Sequence, residues 1–102
     1  MKVTVRPQFY LDVEEEIYWL LKNADAEVAR LWHEAVWETI EFLKANPEIG
    51  RQRHDLRQEG IRIWRVRQFT RWLILYGVRA DGLVIFRIRS GLINLLALKI
   101  ES

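Results

Sequence analysis

The stretch Trp72-Leu73-Ile74-Leu75-Tyr76-Gly77-Val78-Arg79-Ala80-Asp81-Gly82-Leu83-Val84-Ile85-Phe86-Arg87-Ile88-Arg89 reads as two strands about a tight turn. Both runs are rich in β-branched and aromatic residues, and Ala80-Asp81-Gly82 between them is a turn signal of the Asp-Gly kind. In the second run, alternation puts Val84, Phe86 and Ile88 on one face and Leu83, Ile85, Arg87 and Arg89 on the other. The first set is expected to pack against helices. Trp72 to Arg79 is apolar on both parities, as in a central strand covered on one side and partly covered on the other.

Upstream, Ile61 to Phe69 is a third strand-like run, set off by Thr70-Arg71. It does not keep one phase, because Ile61 and Ile63 are odd whereas Trp64 and Val66 are even; a bulge or a change of covered face is expected. Together the three runs predict an antiparallel meander. The remaining segment, Gly91 to Ser102, is apolar and fits either a short helix or a strand.

The first half has a different period. Lys2 to Arg6 alternates polar and apolar and predicts a short strand closed by Pro7, which lacks a ladder donor. From about Tyr10 to Asn23, Val13, Ile17, Leu20, Leu21 and Ala24 follow helical spacing, with Asp12, Glu14, Glu15 and Glu16 in the early turns, where the helix dipole favours anions. Asn23-Ala24-Asp25 is a tight joint with a side chain able to cap the next helix. That helix, Ala26 to Ala45, carries the stripe Ala29, Trp32, Val36, Ile40 and Leu43 and stops at Asn46-Pro47-Glu48-Ile49-Gly50. A joint this short predicts an antiparallel helical hairpin. The expected fold class is α+β, one domain over 1–102, in the order strand, helix, helix, three-stranded meander.

The 102 residues include five Trp and no Cys, half are hydrophobic and 29% are charged. A single core is expected rather than disorder, and disulfides, thiolate chemistry and cysteine-based metal sites are excluded. Nothing near the start has the apolar run of a signal peptide and no segment approaches the roughly 20 apolar residues that span a bilayer, so a cytoplasmic chain without membrane contact is expected. The formal net charge of +2 conceals a polarity. Residues 1–50 hold five basic against ten acidic side chains, net −5, and residues 51–102 hold eleven against four, net +7. Such a basic half either steers an anionic partner or is neutralised by the acidic helices within one fold.

Motifs for catalysis are sparse. His33-Glu34 begins like a zinc-protease helix, but Trp37 stands where the second His must be. His54 lies among Arg51, Arg53 and Arg57 in an expected basic loop, and the five glycines form no phosphate-binding pattern. Glu14, Glu15 and Glu16 point in three directions from a helix and fit a solvated first turn. The tryptophans read as core or interface anchors, with Trp64 beside arginines the best placed to stack on a base. Arg65 and Arg67 share a parity, as do Arg87 and Arg89, which predicts a second sheet face that is part apolar and part guanidinium. The tail, a homodimer mate or a separate chain would have to cover it.

Gly60-Ile61-Arg62-Ile63-Trp64-Arg65-Val66, Phe69, Trp72-Leu73-Ile74-Leu75-Tyr76 and Asp81-Gly82-Leu83-Val84-Ile85-Phe86-Arg87-Ile88, preceded by a helical hairpin ending in Asn46-Pro47-Glu48-Ile49-Gly50, resemble the ParE/RelE superfamily of bacterial toxins over nearly the whole chain. The resemblance implies a β-α-α-β-β-β toxin of a type II toxin–antitoxin module, as in plasmid stabilisation systems, silenced by a co-expressed antitoxin. RelE-like members cut messenger RNA on the ribosome, and ParE-like members poison DNA gyrase. The closing family pattern Ile/Leu-x-x-Val-x-His-Gly-x-Arg stands here as Phe86-Arg87-Ile88-Arg89-Ser90-Gly91-Leu92-Ile93, with Ser90 for the His and Ile93 for the Arg. A lone serine has no pKa suited to taking the 2′-hydroxyl proton, so the non-nuclease branch is expected.

The expected antitoxin- or target-binding residues are Arg62, Trp64, Arg65, Arg67, Leu83, Ile85, Arg87 and Arg89, with the tail Leu92 to Ile100 joining the interface. Neither metal nor cofactor is expected. The enzymatic alternative is a ribosome-dependent ribonuclease using Arg65, Arg87, Arg89 and His54 or Tyr76. A third reading is a non-toxic α+β interaction or dimerisation module. Closure of the second face by the chain's own C-terminus, with its arginines tied up in internal ion pairs, would overturn docking there.

Overall fold

A computed structural model describes residues 2–56, 60–91 and 98–100. The elements are β1 (Lys2–Val5), α1 (Pro7–Asn23), α2 (Ala26–Ala45), β2 (Arg51–Gln52), β3 (Arg62–Val66), β4 (Phe69–Arg79) and β5 (Gly82–Ser90). They build one five-stranded sheet in the order β1-β5-β4-β3-β2, with β1 parallel to β5 and the other neighbours antiparallel. Both helices pack on one face of it. The α+β class and the meander are as expected; β2 is an addition, too short at two residues to show any period.

Pro7 opens α1 rather than merely closing β1. Its fixed φ suits a first helical position, where no amide hydrogen is needed, and it holds Arg6 extended at ψ 146°. The helix therefore begins three residues earlier than its apolar spacing indicates. The acids shift with it: the first turn holds none, Asp12 is buried, and Glu16 accepts from the buried Trp72 Nε1 at 3.0 Å instead of standing in a solvated first turn. At the joint, Asp25 caps α2 through its carboxylate and the Val28 amide (2.8 Å), as its position predicts.

The turn between β3 and β4 falls at Arg67-Gln68, not at Thr70-Arg71. Gln68 takes the left-handed φ of 68°, and the Arg67 amide donates to the buried Thr39 hydroxyl at 3.0 Å, which itself donates to Ala35 O. A helix side chain thus anchors the hairpin, and propensity along the strand carries no sign of it. The expected irregularity in the third strand run is present as a register shift at Arg65/Val66.

A second shift reverses an expectation. Leu75 pairs with Arg87 and Tyr76 with Ile85, so Phe86 is an extra residue in β5. Leu83, Ile85 and Ile88 therefore share the helix-side core with Trp32, Phe9 and Tyr76, whereas Val84 and Phe86 lie in the cluster on the opposite face with Leu56, Ile61 and Leu75. The phase comes from β1, whose Val3 and Val5 pair with Leu83 and Ile85 and pack into the same core. Gly82, at φ 154°, sits against the Lys2 backbone, leaving no room for a Cβ at that entry.

On the far face, Leu98 and Ile100 pack against the Leu75–Val84–Phe86 cluster. Part of the second side is thus covered by the chain's own C-terminal residues. The tail positions 92–97 lie outside the described residues. No helix among the described residues is long and apolar enough to cross a membrane.

Candidate functional site

The eight positions expected to meet a partner separate into four environments. Leu83 and Ile85 are buried beneath the helices at 1% and 0% exposure, so neither can touch a partner. This corrects their assignment, and the β5 bulge with the β1 pairing is its cause.

Arg87 and Arg89 form the second group. β1 ends opposite Ile85, leaving the rest of that β5 edge without a strand, and α1 brings Asp12 there. The Asp12 carboxylate accepts from the Ile88 amide at 3.2 Å and holds Arg87 bidentately, Nε at 2.7 Å and Nη2 at 2.9 Å. Arg87 Nη1 donates to Lys99 O, which ties the C-terminal residues to the same node. Arg89 Nη1 bridges Asp12 and Glu15, each at 3.2 Å. Burial opposes the Arg89 charge, yet the two carboxylates outweigh it and hold the guanidinium above its ordinary range. These arginines act inside the fold.

Arg62 belongs with Tyr76 in a latch on the exit from α2. The Tyr76 hydroxyl donates to Pro47 O and accepts from the Gly50 amide, both at 2.8 Å, and Arg62 Nη1 donates to Glu48 O and Gly50 O at 3.0 and 2.8 Å. Burial pushes the Tyr76 hydroxyl above its usual value, against the opposing pull of the Gly50 amide and the Arg62 charge. Its donor and acceptor roles are both used structurally. Gly50 is required because a Cβ there would occupy the Tyr76 ring.

Trp64, Arg65 and Arg67 remain on the surface together. The Trp64 indole is stacked on Phe42 from α2, centroids 6.2 Å apart at 22°, and the Arg65 guanidinium lies 4.6 Å above it. One recess beside these rings is bordered by Glu38, Arg67 and Thr70; the next, across Arg65, is lined by Arg51, Arg53, Ile63 and Leu73. Arg53 is held by Asp55 at 2.7 and 2.6 Å, and that bond keeps the Asp55 carboxyl at a pKa of about 2. His54 is exposed beside this pair.

Sequence reasoning missed Phe42 and Arg51 as members of this surface. Phe42 lies off the apolar stripe of α2 and is 42% exposed. Arg51 was visible as a basic loop residue but not as a strand residue beside β3. His33, the other histidine, accepts from Trp37 Nε1 at 3.1 Å. No group of three or more metal-binding side chains occurs among the described residues.

The α+β fold thus combines a helical hairpin over a meander, a basic strand half and an aromatic–guanidinium surface. No curated protein matches the chain. The family model described as ParE toxin of type II toxin-antitoxin system, parDE, matches residues 3–94, and the chain therefore belongs to the ParE toxin family.

Proposed function

We propose that the protein is a cytoplasmic toxin that acts by binding DNA gyrase and is neutralised by a cognate antitoxin, as in plasmid stabilisation. The family membership carries the toxin reading. The binding mode is supported by where the ribonuclease candidates lie: Arg87 is committed to Asp12, Tyr76 to the backbone at 47–50, and Ser90 stands at the family's His position. General acid–base cleavage needs groups able to reach substrate and exchange protons. The face proposed for the target is the one around Trp64, Arg65 and Arg67, and an acidic antitoxin segment silences the toxin by covering it.

The decisive experiment is induction of the gene with and without its neighbouring reading frame, followed by a gyrase supercoiling assay with the purified chain. Arrested supercoiling relieved by the neighbour's product is the expected result. Cuts in translated messages by primer extension, with supercoiling intact, would overturn it in favour of a ribosome-dependent nuclease. Unimpaired growth in both arms would overturn it in favour of a dimerisation module.

A further inference from the structure

Arg51, Arg65 and Arg67 are exposed, and none pairs with a carboxylate among the described residues. Elsewhere in the sheet Arg53 is held by Asp55, Arg62 by two carbonyls, and Arg87 and Arg89 by Asp12, whereas the exposed Arg71 lies over Trp19 and Trp72 and Arg79 over Phe86. These three border the ring pair Phe42–Trp64, half exposed at Phe42, while Trp64 is half-buried against the helix-side core with the Arg65 guanidinium lying on its indole. A cation held on a ring face in water is weakly held, so a phosphate oxygen can draw Arg65 away and leave the indole to another flat partner.

We propose that this surface binds single-stranded DNA, with Arg51, Arg65 and Arg67 on successive phosphates and a base stacked at Trp64 and Phe42. The inference rests on the reading of this face as the one that meets the target, and it names what the face takes there. Unpaired guanidiniums on either side of flat rings match a chain in which charge and aromatic planes alternate. An acidic peptide supplies the charge but nothing flat for the rings, and a duplex keeps its bases stacked inside. Contacts to phosphate oxygens and base faces make no use of a 2′-hydroxyl, so a deoxyribose strand satisfies the surface fully. Glu38, at the edge of the same recess, is the one carboxylate there among the described residues and opposes the phosphates.

The test is fluorescence anisotropy of a labelled oligo-dT of about 20 nucleotides with the purified full-length chain, its fold checked by circular dichroism. With three phosphate contacts, the affinity is expected to fall ~20-fold between about 50 and about 200 mM salt. Arg65→Ala and Arg67→Ala are each expected to weaken binding severalfold and to flatten the salt dependence. Trp64→Ala is expected to cost about tenfold, with Trp64→Phe retaining most of the affinity. Glu38→Gln is expected to tighten binding about twofold, and Arg30→Ala, on the outer face of α2 between Glu27 and Glu34, to leave it unchanged. An oligo-rU of equal length bound no more tightly than oligo-dT fits the proposal.

It is overturned by no saturable binding up to about 100 μM protein at low salt. Affinity unmoved by the Arg65, Arg67 and Trp64 variants overturns it equally, as does a tenfold preference for RNA or binding of an acidic peptide alone. Arrested supercoiling by a chain that binds no oligo-dT would sink this inference and leave the gyrase reading intact. Oligo-dT binding by a chain without effect on gyrase would do the reverse.

Discussion

Arg87 and Arg65 sit two strands apart in one sheet, both flanked by apolar neighbours, and their environments are opposite. Arg87 is 7% exposed and gripped by a carboxylate delivered from α1, whereas Arg65 is exposed and rests on an indole. The difference lies in what the fold places across from each. β1 stops at Val5, and the gap along β5 is filled by Asp12, which serves the Ile88 amide and two guanidiniums together. Among the described residues only the two-residue β2 lies beyond β3, and no acid pairs with Arg65. A buried guanidinium needs its partner to offset desolvation, but an exposed one is hydrated and remains available.

The sharpest way to break this contrast is to remove the shared anion. Asp12→Ala should destabilise the fold by about 3–5 kcal/mol in urea titration, because two guanidiniums and a strand-edge amide lose their acceptor. The double variant Asp12→Leu/Arg87→Met should lose less than Asp12→Ala alone, since an apolar pair carries no unpaired charge. A double loss equal to the sum of the singles would contradict the node.

Next in size is the latch. Tyr76→Phe should cost about 1–3 kcal/mol by leaving the Gly50 amide without its acceptor, and backbone amide exchange at Gly50 should quicken more than at Ile88. On the open surface, Arg65→Ala should change stability by no more than about 0.5 kcal/mol while altering ligand binding, the reverse of the Asp12 result.

The smallest effect concerns Asp55. Its carboxyl, lowered chiefly by the Arg53 hydrogen bond, contributes stability that is present above the unfolded value near 3.8 and is lost as pH falls through about 2. Arg53→Ala should return the Asp55 titration, followed by carboxyl NMR, toward 3.8. An unchanged midpoint would show that Arg53 is not its partner in solution.

Much of this contrast was hidden in the linear pattern for a definable reason. Arg87 and Arg89 share a parity and sit near the end of an apolar run, as do Arg65 and Arg67, and the pattern treats the pairs alike. Asp12 lies 75 positions from Arg87, and nothing local to either signals the pairing. Conversely, Asp25 as a cap and the irregular third strand run were legible because those features depend on neighbours within a few residues.

The sequence by itself determined the class, the order of helices and meander strands, the cap at Asp25 and the polarity of charge, since helical and strand periods and turn residues act over short spans. Only the tertiary structure decided which face of β5 is core, because the Phe86 bulge and the partner strand β1 reset its phase, and a one-residue slip exchanges every side chain between faces. It decided equally which arginines are structural and which are free, because that depends on an acid arriving from another element in space.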